Sequence, residues 1–173
     1  MKNGGSKDKG SGFEILISRK LTSWVTGSER PEIFWKTAGS GSKATMSAKY
    51  GHETKMHGDI MAIDPKGEFF TETFFVECKF YKTFDLFDLL EWKGNLYNFW
   101  IKCRDESKKA DKRPLLIFKR NRGTIYTVIK YDVVDLMGLP KKSFDNIYGL
   151  GITVVAFDDL FSHLTPEGVK RLL

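Results

Sequence analysis

Apolar side chains recur at helical spacing in two parts of the chain. Between residues 9 and 25 they fall three or four positions apart, which predicts an amphipathic helix that stops at Thr26-Gly27. This stripe consists of Phe13, Leu16, Ile17, Leu21, Trp24 and Val25. A similar stripe predicts a helix from Asp85 to Arg104. Thr165-Pro166 provides the N-cap and first-turn residues of a last short helix.

Short apolar and β-branched runs predict the strands. They lie at 33–37, 59–64, 71–81, 115–118, 124–129 and 152–157. The run at 71–81 is rich in aromatic residues and is expected to be central, while 115–118 and 124–129 are expected to form a hairpin. Helices and strands alternate along the chain, so we expect an α/β fold with a central mixed β-sheet flanked by α-helices.

Three segments lack the apolar spacing of a long helix or a strand. Residues 38–58 are rich in glycine, serine and lysine and predict a long loop, and 105–113 predict a charged loop. Residues 132–136 predict a short helical turn. Residues 1–9 are polar and rich in glycine and lysine, so we expect a flexible basic tail. At 173 residues, the chain is then expected to form a single domain over residues 10–173.

The composition excludes several protein classes. No stretch approaches the roughly 18 apolar residues of a membrane helix, and the N-terminus has no apolar core of a secretory signal. The two cysteines, Cys78 and Cys103, are too few for a disulfide framework or a four-thiolate zinc site. We therefore expect a reducing, cytoplasmic setting without a membrane partner.

Positive charge is concentrated in parts of the chain. The net charge is +6, and residues 102–122 hold nine basic residues against three acidic ones. Residues 36–58 add four lysines against one glutamate. Such clusters favour a polyanion such as nucleic acid, although solvated basic faces on an ordinary soluble protein give the same count.

One group of residues has the chemistry of phosphodiester hydrolysis. In a strand, Glu77 and Lys79 share one face and Cys78 points to the other. Asp59 opens the preceding predicted strand, and antiparallel pairing of the two strands would bring Asp59 and Glu77 to one cation. Two carboxylates suit Mg²⁺, and a nearby lysine can orient the attacking water or stabilise developing charge. The alternative is a turn aspartate beside an ordinary ion pair.

The order of several motifs resembles a known enzyme family. Gly58-Asp59 followed by Val76-Glu77-Cys78-Lys79 resembles the core of PD-(D/E)xK nucleases. The segments at 9–14, 34–42 and 114–121 resemble the opening helix, basic Gly-Ser-Gly loop and later strand of Holliday junction resolvases from archaea and bacteriophages. The resemblance covers about residues 9 to 130. It implies a restriction-endonuclease-like fold and a homodimeric, Mg²⁺-dependent enzyme that cuts branched double-stranded DNA, in the host cytoplasm if phage-encoded.

The resemblance also implies roles for individual residues. The catalytic set comprises Glu14, Asp59, Glu77 and Lys79. The metal, Mg²⁺ with Mn²⁺ as a substitute, would be held by Asp59, Glu77, the Cys78 backbone carbonyl and Glu14. The residues expected to contact DNA are Lys36, Ser40, Ser42, Lys119, Arg120 and Arg122.

The sequence departs from the family pattern at Lys36, where arginine is usual, and it leaves other functions open. A nicking, flap or restriction-type endonuclease would use the same site. A non-catalytic DNA-binding protein and a basic structural protein that binds RNA are the two alternatives without catalysis. The segment beyond residue 130 matches no part of the pattern and is either a packing element or a dimer surface.

Overall fold

The computed structural model of the chain describes residues 7–37, 57–138 and 145–173. The first of these segments begins with helix α1 (Lys7–Thr26), as predicted. Phe13, Ile17 and Leu21 are buried along its apolar stripe. The helix stops at Gly27, which has a φ of +74° and donates its N–H to the Ser23 carbonyl.

Two short strands follow, β1 (Phe34–Lys36) and β2 (Ile60–Ala62), and they form a separate antiparallel pair. A 3₁₀ turn (Pro65–Gly67) then leads into helix α2 (Glu68–Thr73) and strand β3 (Phe74–Tyr81). The predicted strand at 71–81 is therefore wrong over its first three residues. Aromatic residues suit either structure, and here Phe69, Phe70 and Thr73 are buried at helical spacing.

A five-stranded sheet forms the centre of the molecule, in the order β3-β4-β5-β7-β6. Strand β4 (Arg113–Arg120) is parallel to β3, whereas β5 (Ile125–Lys130), β6 (Asp145–Ile147) and β7 (Ile152–Ala156) are antiparallel to their neighbours. This mixed sheet confirms the α/β class and the hairpin of β4 and β5. The central position expected for β3 is wrong, because β3 is an edge strand.

Strand β3 is apolar because both of its faces are covered. Phe74, Val76 and Cys78 contribute to a core with α1, and Phe75 contributes to a core on the opposite face with Trp100. A continuous apolar run therefore indicates that a strand is buried on both faces. It does not indicate that the strand lies in the middle of the sheet.

The connection from β3 to β4 contains two helices, α3 (Phe87–Leu90) and α4 (Gly94–Lys109). The single helix predicted over 85–104 is interrupted, because Trp92 and Gly94 have φ angles of +58° and +83°. The Asp88 carboxylate accepts the Leu96 N–H at 3.0 Å and so satisfies a free amide at the start of α4. Helix α4 also continues through much of the predicted charged loop at 105–113.

The last part of the chain packs against the rest of the fold. It contains α5 (Tyr131–Leu136), which confirms the predicted helical turn, a 3₁₀ turn (Tyr148–Leu150), α6 (Phe157–His163) and α7 (Pro166–Lys170). Thr165 caps α7 as predicted, whereas α6 and β6 were not predicted. The Trp24 indole donates to the Leu164 carbonyl at 2.7 Å, which fastens α1 to this segment. The described residues after 130 thus contribute packing to the fold.

In the three described segments, no helix combines the length and the apolar content needed to cross a bilayer.

Candidate active site

Asp59 reaches the exposed edge of β3 through two hydrogen bonds. Its N–H donates to the Val76 carbonyl, and its Oδ2 accepts the Cys78 N–H, both at 2.7 Å. Strand β2 pairs with β1, so the predicted antiparallel ribbon of β2 and β3 is wrong. Asp59 nevertheless lies beside the strand that carries Glu77, by this direct contact with the backbone.

Gly58 makes the close approach of Asp59 possible. Its φ is +81°, and a Cβ atom at this position would lie 2.5 Å from the Val76 carbonyl oxygen. No side chain fits there without displacement of backbone, because such a contact is far inside van der Waals distance. The position of the Asp59 carboxylate therefore depends on a glycine before it.

Glu77 and Lys79 form a close ion pair on one face of β3, as the strand alternation predicted. The Lys79 Nζ lies 2.5 Å from Glu77 Oε1 and 3.4 Å from the Cys78 carbonyl oxygen. Glu77 is only 4% exposed, so its negative charge is poorly hydrated and depends on the Lys79 ammonium for stabilisation. Cys78 points into the core on the other face.

The charges around Asp59 perturb its proton affinity. Burial, followed by the nearby charge of Glu77, raises the pKa of Asp59 from 3.8 to about 6, although the Cys78 N–H opposes the shift. For Lys79, burial acts to lower the pKa, but the hydrogen bond to Glu77 and its charge outweigh burial and raise it. Lys79 is therefore an ammonium at neutral pH, with a positive charge and N–H groups that can donate.

Glu14 projects from α1 toward the same group of charges. Burial raises the pKa of Glu14. The positive charges of Lys36 and Lys79 act to lower this pKa, and the negative charge of Glu77 acts to raise it. Lys36 is fixed next to α1, because its Nζ donates to the Ser11 hydroxyl at 2.6 Å. The structure thus brings together four of the residues expected from the sequence: Glu14, Asp59, Glu77 and Lys79.

An open cleft of about 490 Å³ exposes three of these four residues, Asp59, Glu77 and Lys79, to solvent, and Glu14 is not among the residues that line it. Asp59, Glu77 and Lys79 line one side, and residues of α4 line the other: Lys102, Glu106 and Lys109. The Lys102 Nζ lies 3.7 Å from Glu77 Oε1 and 3.8 Å from Glu106 Oε1. These α4 residues were not predicted as site residues.

The sequence carried a signal for these α4 residues. Lys102, Glu106 and Lys109 are four and three positions apart, so they share one helix face. The predicted helix ended at Arg104, which left Glu106 and Lys109 in a loop without a defined direction. The sequence order also gave no reason to place this face opposite Glu77.

The oxygen atoms at the edge of β3 fit a hard divalent cation. A strand residue directs its N–H and C=O to the same edge, so the Cys78 carbonyl faces the side on which Asp59 lies. Within residues 7–37, 57–138 and 145–173, no group of three or more His, Cys, Asp or Glu is placed to hold a metal. Two carboxylates and one carbonyl would leave the remaining ligand positions of Mg²⁺ to water, as this ion prefers.

The residues expected to contact DNA lie apart from this cleft or outside the described residues. Lys119 and Arg120 end β4, and Arg122 lies in the turn that follows. The Lys119 Nζ lies 6.0 Å from the centre of the Phe80 ring. Ser40 and Ser42 fall outside the described residues, as do most of the predicted loop at 38–58 and residues 1–6 of the predicted tail.

The raised pKa of Asp59 predicts a pH-dependent stability in EDTA. The folded protein holds this proton more tightly than the unfolded chain, so the contribution of Asp59 to stability falls as the pH rises from about 4 through 6. We expect the difference in unfolding free energy between wild type and Asp59→Asn to fall by about 2 kcal/mol between pH 4 and pH 7. Urea unfolding of both proteins across this range measures it. A pH-independent difference would contradict the assigned burial of charge.

A comparison with protein families identifies a relationship over nearly the whole chain. A family model described as "Phage putative PDDEXK endonuclease" matches residues 5–170. No curated protein and no solved structure matches the chain. The family match extends past residue 130, so it includes the packing element that the sequence motifs did not cover.

Proposed function

The chain belongs to the phage PDDEXK endonuclease family and is a nuclease, and on this basis we propose that it cuts branched DNA in a metal-dependent reaction, with four-way junctions as its preferred substrate. The observation that carries the proposal is the Asp59 carboxylate, which is held on the Cys78 amide beside the Glu77–Lys79 pair. These residue types suit metal-dependent phosphodiester hydrolysis.

Each residue at the edge of β3 has a separate proposed role in hydrolysis. Asp59, Glu77 and the Cys78 carbonyl would hold Mg²⁺, or Mn²⁺ in its place, and Glu14 would reach the ion through a bound water. The metal would supply a more acidic water and charge to offset that of the phosphate. Lys79 donates from its ammonium to the attacking water or to the phosphoryl oxygens, where negative charge develops.

Contacts to the phosphate backbone would position the DNA. Positive charge outside the cleft comes from Lys36 next to α1 and from Lys119, Arg120 and Arg122 at the end of β4. We assign Ser40 and Ser42 to the same task. Phosphate contacts carry little base information, so selection would follow the shape of the DNA.

A four-way junction has two equivalent strands to cut, and this symmetry bears on the assembly. Two coordinated nicks require two active sites related by a two-fold axis, and each chain carries one such site. We therefore propose that the enzyme acts as a homodimer.

Cleavage of a synthetic immobile four-way junction tests the proposal. The control DNA is a linear duplex with the same arm sequence, and both are incubated with Mg²⁺ or with EDTA. We expect paired, symmetric nicks near the branch point, at least about tenfold faster than cuts in the duplex. These nicks should disappear with EDTA and with Glu77→Gln.

Each alternative has its own outcome in this assay. Equal cutting of junction and duplex would retain the nuclease and exclude junction selectivity. Cutting in EDTA would exclude the metal-dependent mechanism. Tight binding of the junction without any cutting would favour a non-catalytic DNA-binding protein.

A further inference from the structure

A second open cleft, of about 520 Å³, lies beyond the end of β3. Three parts of the chain meet there: the first turn of α1, the residues that follow β3, and the turn between β4 and β5. The lining residues are Lys9, Lys82, Thr83, Asn121 and Arg122, and all five are exposed. None of them lines the candidate active site.

The backbone fixes the shape of this cleft. The Asn121 N–H donates to the Tyr81 carbonyl at 3.2 Å, which ties the turn after β4 to the end of β3. Arg122 has a φ of +54°, a left-handed conformation that costs a non-glycine residue about 1 kcal/mol. Gly123 packs closely against the Arg120 side chain, because a Cβ atom at residue 123 would lie 2.5 Å from Arg120 Cγ. This turn thus sets the direction in which the side chain of Arg122 leaves the backbone.

The charge of the cleft is entirely positive. Lys9, Lys82 and Arg122 provide three cations, and no carboxylate is among the residues that line the cleft. None of these three takes part in an ion pair found within the described segments. Asn121 and Thr83 add a side-chain amide and a hydroxyl. Several cations with added hydrogen-bond donors suit an anion with several oxygen atoms, such as a phosphate.

We propose that this cleft binds a backbone phosphate of the DNA, several nucleotides away from the bond that is cut; this inference rests on the proposed function. Strand β3 carries both sites and sets their separation. Lys82 directly follows the last residue of β3 and lies five residues after Glu77, or about 16 Å along the strand direction, which corresponds to a few nucleotides along one DNA strand. On α1, Lys9 precedes Glu14 by five residues, or about 7.5 Å along the helix axis, in the same general direction.

The cleft therefore defines a direction for the DNA. A strand that enters the active site would continue along β3 toward the β4–β5 turn. Its phosphate in this cleft would hold the DNA in register while the reaction occurs elsewhere. The cleft would contribute to binding and register, and it would contribute little to the chemical step.

A charge-matched pair of variants tests this inference. The test variant is Lys82→Ala/Arg122→Asn, since asparagine tolerates the left-handed conformation at residue 122. The control is Lys66→Ala/Arg171→Asn, which removes the same two charges at exposed positions outside both clefts. Circular dichroism and thermal unfolding first establish that both variants fold.

Binding is measured by fluorescence anisotropy of a labelled four-way junction in EDTA at several salt concentrations. We expect the test variant to bind about tenfold more weakly than wild type at 0.1 M salt. The slope of log Kd against log salt should fall by about one to two, since two phosphate-binding cations are lost. The control should remain within about threefold of wild type. Equal losses in both variants would overturn the inference.

Replacing single DNA phosphates by uncharged groups shows which phosphate contacts the cleft. Single methylphosphonates are placed one at a time on each side of the cut, and binding is compared between wild type and the test variant. We expect one position, a few nucleotides from the cut, to weaken wild type severalfold and to leave the test variant unaffected. If no position couples to these two residues, the cleft does not bind a DNA phosphate.

The outcome can be separated from that of the proposed function. The binding experiments require no catalysis, so a protein that cuts no junction can still show the coupled phosphate when positions are counted from the branch point. Conversely, normal junction cleavage with an unchanged salt slope would retain the proposed function and overturn only the inference about this cleft.

Discussion

Replacing Asp59 by asparagine is expected to lower the rate of DNA cleavage by at least about 10³-fold while DNA binding stays within about threefold of wild type. Asparagine has nearly the same shape, and its side-chain oxygen can still accept the Cys78 N–H. It loses the negative charge that would hold Mg²⁺ next to Glu77. A reaction that depends on metal-activated water should therefore fail although the site remains folded.

Single-turnover cleavage of the four-way junction, together with anisotropy measurements in EDTA, separates the two effects. Asp158→Asn is the matched control, because Asp158 is 79% exposed and forms a surface ion pair with Lys20. The control should cut DNA at the wild-type rate. If Asp59→Asn retained more than a tenth of wild-type activity, Asp59 would not be a ligand of the catalytic metal.

Two lysines contact the Glu77 carboxylate, and we expect only one of them to be essential for cleavage. Lys79→Ala should lower the cleavage rate by about 10²–10³-fold, the range found for loss of one donor to a developing charge. Lys102→Ala should lower it by less than about fivefold, because Lys102 is 56% exposed and lies 3.7 Å from Glu77, against 2.5 Å for Lys79.

The two lysine variants control for each other, since both remove one cation from the same carboxylate. Thermal unfolding of each variant shows whether Glu77 is still accommodated. Cleavage rates with saturating DNA and Mg²⁺ then give the catalytic effect. Equal losses in both variants would indicate that the site needs only net positive charge near Glu77, and the specific role of Lys79 would be wrong.

The pairing of Glu77 with Lys79 was predictable because it depends on residue types at short range. Strand alternation alone places Glu77 and Lys79 on one face, and their ion pair confirms it. The way in which Asp59 arrives was not predictable. Convergence was expected from pairing of β2 with β3, but it results from a single residue that bonds to the backbone of β3.

Long-range placement explains most of the remaining differences between sequence and structure. Apolar runs identified most of the strands, but the β3 run is apolar on both faces and so could not show that β3 is an edge strand. The interruption at Trp92 depends on backbone angles that follow from local turn geometry and contacts of Asp88. The part of α4 that faces the cleft lay beyond the predicted helix end, where a run of charges resembled a loop.

The need for glycine before Asp59 affects which related proteins would retain nuclease activity. Residue 58 contributes no atom to hydrolysis, yet any side chain there collides with the Val76 carbonyl. A related gene with one changed codon at this position would still encode the aspartate, glutamate and lysine at their proper spacing. Its product would carry all three of these residues but a displaced carboxylate. A search for the aspartate, glutamate and lysine alone would therefore count such a descendant as an enzyme, and the glycine is the residue that separates the two cases.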